Sequence, residues 1–296
     1  MSGPRRDSYL PSVAQVSTGS PPDVRQLLRR YGLRPDKGLG QNFLVDPGSL
    51  RRVIEAADLT REDAVLEIGA GLGSLTSRLA AVAGRVVAVE FDRRLIPPLE
   101  ETVADLANVR LVNDDILSLD LAKLMEGDAY HVVANIPYNI TSTLIRHLME
   151  APDPSRIIVL TIQREVAERI ASGPGDMSLL ALSVQVYGQP SLRGDIPASA
   201  FFPRPKVDSA VLRIDAGEKP RVAQDLIDPI FRLARAGFGQ KRKKLVNALA
   251  SGLGVVRSDI LDWLESAGVS ADARAQELEL ESWERLASAM RDTFEA

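Results

Sequence analysis

One stretch of sequence decides the fold: Ala64-Val65-Leu66-Glu67-Ile68-Gly69-Ala70-Gly71-Leu72-Gly73. Its first five residues predict a buried strand, and a helix through Val82 is predicted after the glycines. A glycine turn between a strand and a helix lets the backbone come close to a bound nucleoside. The spacing is G-x-G-x-G, whereas nicotinamide-binding proteins have G-x-G-x-x-G, which disfavours a dehydrogenase. No P-loop lysine follows, so a nucleoside without a long phosphate chain is favoured, with a dinucleotide as the alternative.

Carboxylates follow the next two predicted strands. The strand at residues 85–89 ends at Glu90, 19 positions past Gly71, where a carboxylate can hold a ribose diol. The strand at residues 109–112 is followed by Asp114 and Asp115, and either can accept a hydrogen bond from an adenine amino group. Either residue can equally cap a helix. These positions predict a nucleoside site at the carboxyl ends of the strands.

A second motif, Asn135-Ile136-Pro137-Tyr138, follows the apolar run at residues 130–134. The side-chain carbonyl of Asn135 can accept a hydrogen bond from an amine, Pro137 stiffens the turn, and Tyr138 offers a flat face to a planar base. These residue types suit an exocyclic amino group that is held in plane. The alternative is an ordinary Asn-Pro turn at the end of a strand.

The order of strands and helices predicts the architecture. Alternation of the two predicts an α/β fold with a mostly parallel, doubly wound sheet. We expect seven strands, of which the last two, at residues 178–187 and 207–214, pair antiparallel. Pro97-Pro98 should break or kink the helix predicted at residues 92–106. Only helices are predicted beyond residues 217–220. The predicted organisation is a flexible tail at residues 1–22, a sheet domain at residues 23–216 and a small helical domain at residues 217–296.

The composition bears on compartment and partners. The chain has 296 residues, no cysteine and two histidines, so thiol-bound or multi-histidine metal is not expected. No apolar run reaches the length of about 18 residues that predicts a membrane span, and Arg5-Arg6 lacks the apolar segment of a secretory signal. We expect a cytoplasmic protein, and nothing demands more than a monomer. The net charge of −4 argues against non-specific coating of nucleic acid but leaves room for a local basic face.

The densest basic segment is Lys241-Arg242-Lys243-Lys244. A charge run is usually a solvated face. Here it lies at a predicted helix start, where the helix dipole disfavours cations. Since phosphate contacts supply most non-specific affinity for nucleic acid, we predict that this segment contacts an RNA backbone.

Five spaced motifs carry a family resemblance: Gln41-Asn42-Phe43-Leu44, Glu67 to Gly73, Asn135 to Ile140, Phe201 to Ser209, and Phe238 to Leu249. Together they resemble the small-subunit ribosomal RNA adenine dimethyltransferases. These class I methyltransferases convert two adjacent adenosines in the hairpin loop near the 3′ end of that RNA to N6,N6-dimethyladenosine. The resemblance covers about residues 25–250. It implies a Rossmann-like fold, S-adenosylmethionine (SAM) as methyl donor without a metal, and rRNA of the immature small subunit as partner.

The resemblance also implies roles for individual residues. Cofactor contacts are implied for Asn42, Leu44, Gly69, Glu90, Asp115 and Asn135. RNA contacts are expected at Arg204, Lys206, Lys241, Arg242, Lys243 and Lys244.

A mechanism follows from these residue types. The amino nitrogen of adenine is a poor nucleophile. We expect Asn135 and a backbone carbonyl near Ile136 to accept hydrogen bonds from its two N–H groups. Tyr138 and Phe201 are predicted to hold the flipped base between them. Phe201 and Phe202 have the alternative role of anchoring a proline-rich turn in the core.

Two other functions compete with this interpretation. A related family methylates an adenine of large-subunit RNA and confers macrolide resistance, but the basic segment at residues 238–249 favours the small-subunit group. A non-catalytic ribosome-assembly factor could keep the fold as an RNA-binding module. Retention of both Glu90 and the Asn-Ile-Pro-Tyr motif argues against lost catalysis.

Overall fold

The structure, a computed structural model, describes residues 23–138, 140–151, 155–217 and 219–295. The predicted tail at residues 1–22 lies outside the described residues. In the described ranges the strands are β1 (Phe43–Leu44), β2 (Ala64–Ile68), β3 (Arg85–Glu90), β4 (Val109–Asn113), β5 (Tyr130–Asn135), β6 (Ile157–Gln163), β7 (Gly188–Ile196), β8 (Phe201–Phe202) and β9 (Ser209–Ala216). The α-helices are α1 (Val24–Arg30), α2 (Pro47–Ala57), α3 (Thr76–Val82), α4 (Ile96–Val103), α5 (Leu121–Leu124), α6 (Thr141–Met149), α7 (Arg164–Ile170), α8 (Leu179–Gln185), α9 (Ile227–Phe238), α10 (Leu245–Leu253), α11 (Arg257–Ser266) and α12 (Leu280–Glu295).

Seven strands form one sheet in the order β4-β3-β2-β5-β6-β9-β7. The strands from β4 to β6 pair in parallel, and β9 pairs antiparallel with β6 and β7. The predicted mostly parallel, seven-stranded α/β sheet is thus confirmed. Every residue of β2 is buried, as expected for a strand covered on both faces by helices.

The sheet register brings the sequence motifs to one edge. Ile68 at the end of β2 pairs with Val89 on β3 and with Ala134 on β5. The next residues along these strands, Gly69, Glu90 and Asn135, therefore lie side by side. From β2 the chain adds β3 and β4 on one side of the sheet and then continues with β5 on the other side. A ligand crevice is expected at such a switch point, here between β2 and β5.

One predicted strand is a helix. Residues 178–187, expected to form the sixth strand, contain α8, and the strand of this region is β7. The side chain of Ser178 accepts a hydrogen bond from the Ala181 N–H and caps the helix. Ala181, Leu182 and Val184 are buried, which is the spacing of one helix face and not of strand alternation.

The proline pair does not break its helix. Asp92 caps a short 3-10 turn over Arg93–Leu95, and α4 begins at Ile96. Pro97 and Pro98 therefore lie in the first turn of α4, where backbone N–H groups have no partner within the helix. The predicted helix thus consists of a 3-10 turn followed by α4, and the prolines lie at the start of α4.

The C-terminal helices pack around their own apolar cluster. The rings of Phe238 on α9 and Trp283 on α12 lie 5.5 Å apart between centroids. Leu182 and Val186, in and just after α8, join the same cluster, so the helices are attached to the sheet layer through α8. None of the described helices combines the length and apolar character needed to cross a bilayer.

Candidate active site

A cavity of about 210 Å³ opens at the carboxyl ends of the strands around the switch point. Seven of the eight residues predicted for the cofactor or the target base line it: Asn42, Gly69, Glu90, Asp115, Asn135, Tyr138 and Phe201. The eighth, Leu44, is not among the lining residues. Its side chain is buried in the core, and it pairs with Phe201 between the short strands β1 and β8.

The glycine turn forms the floor of the cavity. Gly69 and Gly71 both have positive φ, +76° and +60°, a conformation that side chains disfavour. A Cβ on Gly69 would lie 3.4 Å from the backbone oxygen of Asn135, and a Cβ on Gly71 would lie 3.1 Å from Cδ1 of Phe43. The absence of side chains therefore keeps this floor open.

Glu90 ties the turn to the next strand. Its carboxylate accepts hydrogen bonds from the Gly71 N–H at 2.8 Å and the Asp92 N–H at 2.7 Å. Glu90 is 7% exposed, and burial raises its pKa while the two backbone donors lower it. A buried carboxylate already fixed by two donors is a pre-oriented acceptor for further hydroxyl groups.

The wall beyond β4 combines a polar group with apolar surface. Asp115 caps the 3-10 turn Ile116–Ser118 by accepting from the Leu117 N–H at 3.0 Å. It also lines the cavity, so capping and ligand contact are compatible here. Phe91 lies on the same wall and is 59% exposed, although it is aromatic. Phe91 is a candidate site residue that was not predicted from the sequence, and its place directly after Glu90 was the available signal.

Asn135 is fixed across the cavity from the glycines. Its Nδ2 donates to the backbone oxygen of Asn42 at 2.9 Å. The side-chain amide of Asn42 donates in turn to the Gly40 carbonyl at 3.0 Å. The side-chain oxygen of Asn135 accepts no hydrogen bond from the described residues, and Asn135 is one of the residues that line the cavity. The site thus holds an oriented, unused carbonyl acceptor.

Two aromatic side chains lie beside this acceptor. Tyr138 is half-buried, and its hydroxyl shares a 2.8 Å hydrogen bond with Oγ of Ser209. Burial raises the pKa of the Tyr138 hydroxyl, which therefore stays neutral at physiological pH. Phe201 is 4% exposed and packs in the core while also lining the cavity. Its two predicted roles, core anchor and cavity wall, are both compatible with this position.

The residues predicted to contact RNA lie outside the cavity. Arg204 and Lys206 are exposed in the loop after β8. Lys241, Arg242 and Lys243 are exposed in the turn between α9 and α10 and have no ion-pair partner among the described residues. Lys244 directly precedes α10 and pairs with Asp272 at 2.6 Å. The helix therefore begins after the basic segment and not within it.

A buried acid was missed by the sequence analysis. Glu67 on β2 is 1% exposed, and neither carboxyl oxygen has a hydrogen-bond partner among the described residues. Burial raises the pKa of Glu67 to about 8; the Thr76 side chain acts against this shift, and the nearby charge of Glu90 adds to it. Its side chain is therefore protonated at neutral pH.

This shift predicts a pH dependence of stability. The ordinary pKa of Glu67 is 4.5, so between that pH and about 8 the unfolded chain has released a proton that the folded protein still holds. The stabilisation is complete below pH 4.5 and is lost as pH rises towards 8. Glu67→Gln removes this titration, while Glu90 titrates in both proteins. Denaturant unfolding from pH 5 to 9 should show the wild type losing stability relative to Glu67→Gln, on the order of a few kcal/mol. Parallel pH profiles would contradict the shifted pKa.

The site residues suit a nucleoside with a cationic group. The lining provides apolar surface for a base, carboxylates at Glu90 and Asp115, and a glycine floor that a Cβ would fill. Among the described residues, no group of three or more His, Asp or Glu side chains is placed to hold a metal ion. The donor set therefore fits SAM, whose ribose, adenine and sulfonium need these groups.

The sheet order and the site together define a class I SAM-dependent methyltransferase. The sequence model of one family, described as ribosomal RNA adenine dimethylase, matches residues 33–292. The chain belongs to this family, and it is a SAM-dependent ribosomal RNA adenine dimethyltransferase.

Known proteins of this kind resemble the chain over most of its length. A Dehalococcoides mccartyi protein named ribosomal RNA small subunit methyltransferase A is 42% identical over 276 residues, which are 92% of this chain and 94% of the relative. The crystal structure of the 23S rRNA methyltransferase ErmE is 28% identical, with a TM-score of 0.70, over 84% of this chain and 100% of its own. A dimethyladenosine transferase from Plasmodium falciparum shares the fold. It is 24% identical, with a TM-score of 0.71, over 84% of this chain and 97% of its own.

Proposed function

We propose that the protein dimethylates N6 of two adjacent adenosines in the 3′-terminal hairpin loop of small-subunit rRNA. We propose further that it acts as a cytoplasmic monomer on the immature small subunit. The choice of small-subunit RNA is supported by the 42% identity to a small-subunit enzyme, compared with 28% to the large-subunit enzyme ErmE. The observation that carries the proposal is the presence of Asn135 in the cavity lining with a side-chain oxygen that accepts no hydrogen bond from the described residues.

The carbonyl groups at the end of β5 would activate the target amine. The lone pair of the adenine amino nitrogen is delocalised into the ring. Asn135 Oδ1 and the Ile136 carbonyl would accept hydrogen bonds from the two N–H groups of this nitrogen. These hydrogen bonds would turn the nitrogen towards tetrahedral geometry. When bound, SAM supplies an electrophilic methyl group on sulfur. Catalysis by these residues is then mainly positioning and electrostatic complementarity.

No general base is required for this reaction. A methylated adenine cation loses its proton readily to water, and the described residues that line the cavity include no histidine or lysine. The base must leave its stack to enter the site. Tyr138 and Phe201 would then receive it, and stacking of one base on an aromatic ring is worth about 1–3 kcal/mol.

The remaining site residues would hold the cofactor. Glu90, Phe91 and Asp115 line the cavity. Glu90 would accept hydrogen bonds from the ribose diol and Asp115 from the adenine amino group, and Phe91 would pack against the adenine ring. Gly69 leaves room for the backbone to approach the ligand. Asn42 is proposed at the methionine end because it is linked to Asn135. Leu44 would act by supporting this loop from the core.

The C-terminal helices would recognise the RNA. We propose residues 23–216 as the catalytic domain and residues 217–296 as the RNA-recognition domain. The exposed cations in the turn after α9 support this division. Arg204 and Lys206 would extend the RNA contact towards the cavity, since their loop follows Phe201 and Phe202 directly. Lys244 would contribute less, because Asp272 already neutralises it.

Replacing the three unpaired cations should reduce the salt dependence of binding. Binding of small-subunit rRNA by the variant Lys241→Ala/Arg242→Ala/Lys243→Ala should be weaker, and its log–log salt slope should be smaller by about 2 to 3, since each phosphate contact contributes about 0.7–0.9. Filter binding between low and high salt measures both quantities. Lys123→Ala is the control, since this lysine is 85% exposed, lies on α5 away from the basic segment, and pairs with Asp120 at the start of α5. An unchanged slope in the triple variant would exclude these residues from the interface.

The function is tested by methyl transfer from labelled SAM to immature small subunits, mature small subunits and large-subunit RNA. Digestion to nucleosides should show dimethyladenosine at two adjacent positions of the small-subunit RNA only. Dimethyladenosine in large-subunit RNA would instead support the macrolide-resistance type of activity. Binding of the immature subunit without any methyl transfer would support a non-catalytic assembly role.

A further inference from the structure

Both aromatic walls of the proposed target-base site are attached to one short segment, Asp208-Ser209. Ser209 begins β9 and is fully buried. It pairs with Gln163 on β6 and with Ile196 on β7, so strands hold it on both sides. A residue enclosed in this way is a rigid mount for any group that bonds to it.

Ser209 reaches the first wall. Its Oγ forms the 2.8 Å hydrogen bond with the Tyr138 hydroxyl. Tyr138 lies in the loop that follows β5, and that loop has no other side-chain link to β9 among the hydrogen bonds of the described residues. The ring of Tyr138 is thus held at its far end by the sheet.

Asp208 reaches the second wall. Its Oδ1 accepts a hydrogen bond from the Ala198 N–H at 2.9 Å, and Oδ2 accepts from Arg164 at 3.0 Å. Ala198 begins the 3-10 turn that leads directly into Phe201, and the Phe201 N–H donates to the Ala198 carbonyl. Arg164 is itself anchored, since its backbone N–H donates to the Asp208 carbonyl at 3.1 Å.

We propose that Asp208 and Ser209 are positioning residues that fix the gap between Phe201 and Tyr138. They do so from outside the cavity, because neither residue is among those that line it. The inference rests on the proposed role of the two rings as walls for the target base. A gap of fixed width would let the same site receive first an adenine and then its monomethylated form.

The contribution of Ser209 is tested by a double-mutant cycle of Ser209→Ala and Tyr138→Phe. Each single variant should lower kcat/KM for methyl transfer roughly three- to tenfold, the effect expected for one hydrogen bond. The double variant should be no slower than either single one, because the same bond is lost. Ser191→Ala is a matched control: this serine lies on the adjacent strand β7, and its buried hydroxyl has no hydrogen-bond partner among the described residues. It should have the wild-type rate.

Several results would overturn the role of Ser209. Wild-type kcat/KM in Ser209→Ala would do so, and so would multiplicative effects in the double variant, since a merely structural serine would still matter without the Tyr138 hydroxyl. If Ser209→Ala does not fold, Tyr138→Phe alone decides, and an unchanged rate counts against the proposal. Failure of the proposed function is seen separately, as absence of dimethyladenosine in the wild-type reaction.

The contribution of Asp208 is tested with two substitutions. Asp208→Ala removes the acceptor for the Ala198 N–H and should lower kcat/KM roughly three- to tenfold. Asp208→Asn keeps a carbonyl oxygen for that N–H but loses the negative charge facing Arg164, and it should recover most of the rate. Equal losses in the two variants would show that only the ion pair matters and would overturn the positioning role. Wild-type rates in both variants would overturn it as well.

Discussion

Asn135→Ala should lose methyl transfer while keeping most of its affinity for SAM. The substitution removes the carbonyl oxygen that would accept from the target amine. Loss of one such pre-oriented group lowers a rate by about 100- to 1,000-fold. The hydrogen bond from Asn135 to the Asn42 carbonyl is lost too, so the dissociation constant for SAM should rise, but by less than about tenfold. Single-turnover methyl transfer to small-subunit RNA and calorimetric titration with SAM measure the two effects.

A matched variant separates this effect from a general loss of structure. Asn108 also donates its side-chain amide to backbone carbonyls, those of Ala80 and Ala83 at 3.0 and 3.1 Å, but it does not line the cavity. Asn108→Ala should therefore methylate at close to the wild-type rate. Full turnover by Asn135→Ala would refute the role of the side-chain oxygen, and with it the mechanism proposed here.

Glu90→Ala should strongly weaken the binding of SAM. The variant loses the proposed acceptor for the ribose diol. It also leaves the N–H groups of Gly71 and Asp92 without their partner at the floor of the site. Hydrogen bonds to charged groups contribute about 1.5–3 kcal/mol each. The dissociation constant for SAM should consequently rise about 100-fold or more, which calorimetric titration can measure.

The control for this variant is another glutamate outside the site. Glu101 accepts hydrogen bonds from Arg30 and from the Tyr31 hydroxyl and does not line the cavity. Glu101→Ala should bind SAM as the wild type does. Thermal unfolding of both variants shows whether they remain folded. A folded Glu90→Ala protein that binds SAM within about twofold of the wild type would remove Glu90 from the cofactor site.

Local sequence patterns predicted most of the elements that build the site. The mainly apolar run before Gly69 predicts β2 because a strand covered on both faces favours apolar side chains on both of its sides. Glu90 and Asn135 could be placed at one edge because consecutive parallel strands end on the same side. The error at residues 178–187 arose where a helix cap, Ser178, was overlooked.

The position of a side chain between distant segments could not be predicted in the same way. Leu44 is adjacent to lining residue Phe43, yet its pairing with Phe201 directs it into the core. Glu67 belongs to the strand before the glycine motif, and its burial in the folded chain is the main cause that raises its pKa to about 8. Phe91 is 59% exposed at the cavity, which its aromatic character alone does not predict.

The sequence by itself determined the α/β class, the glycine turn and the residue types of the site, because these depend on neighbours within a few positions. The tertiary structure decided which groups meet: the Asn135 amide with the Asn42 carbonyl, 93 positions away, and the Tyr138 hydroxyl with Ser209, 71 positions away. Such contacts depend on sheet register and helix packing, which no local pattern specifies. The orientation of the carbonyl acceptor in the cavity is therefore a property of the folded chain.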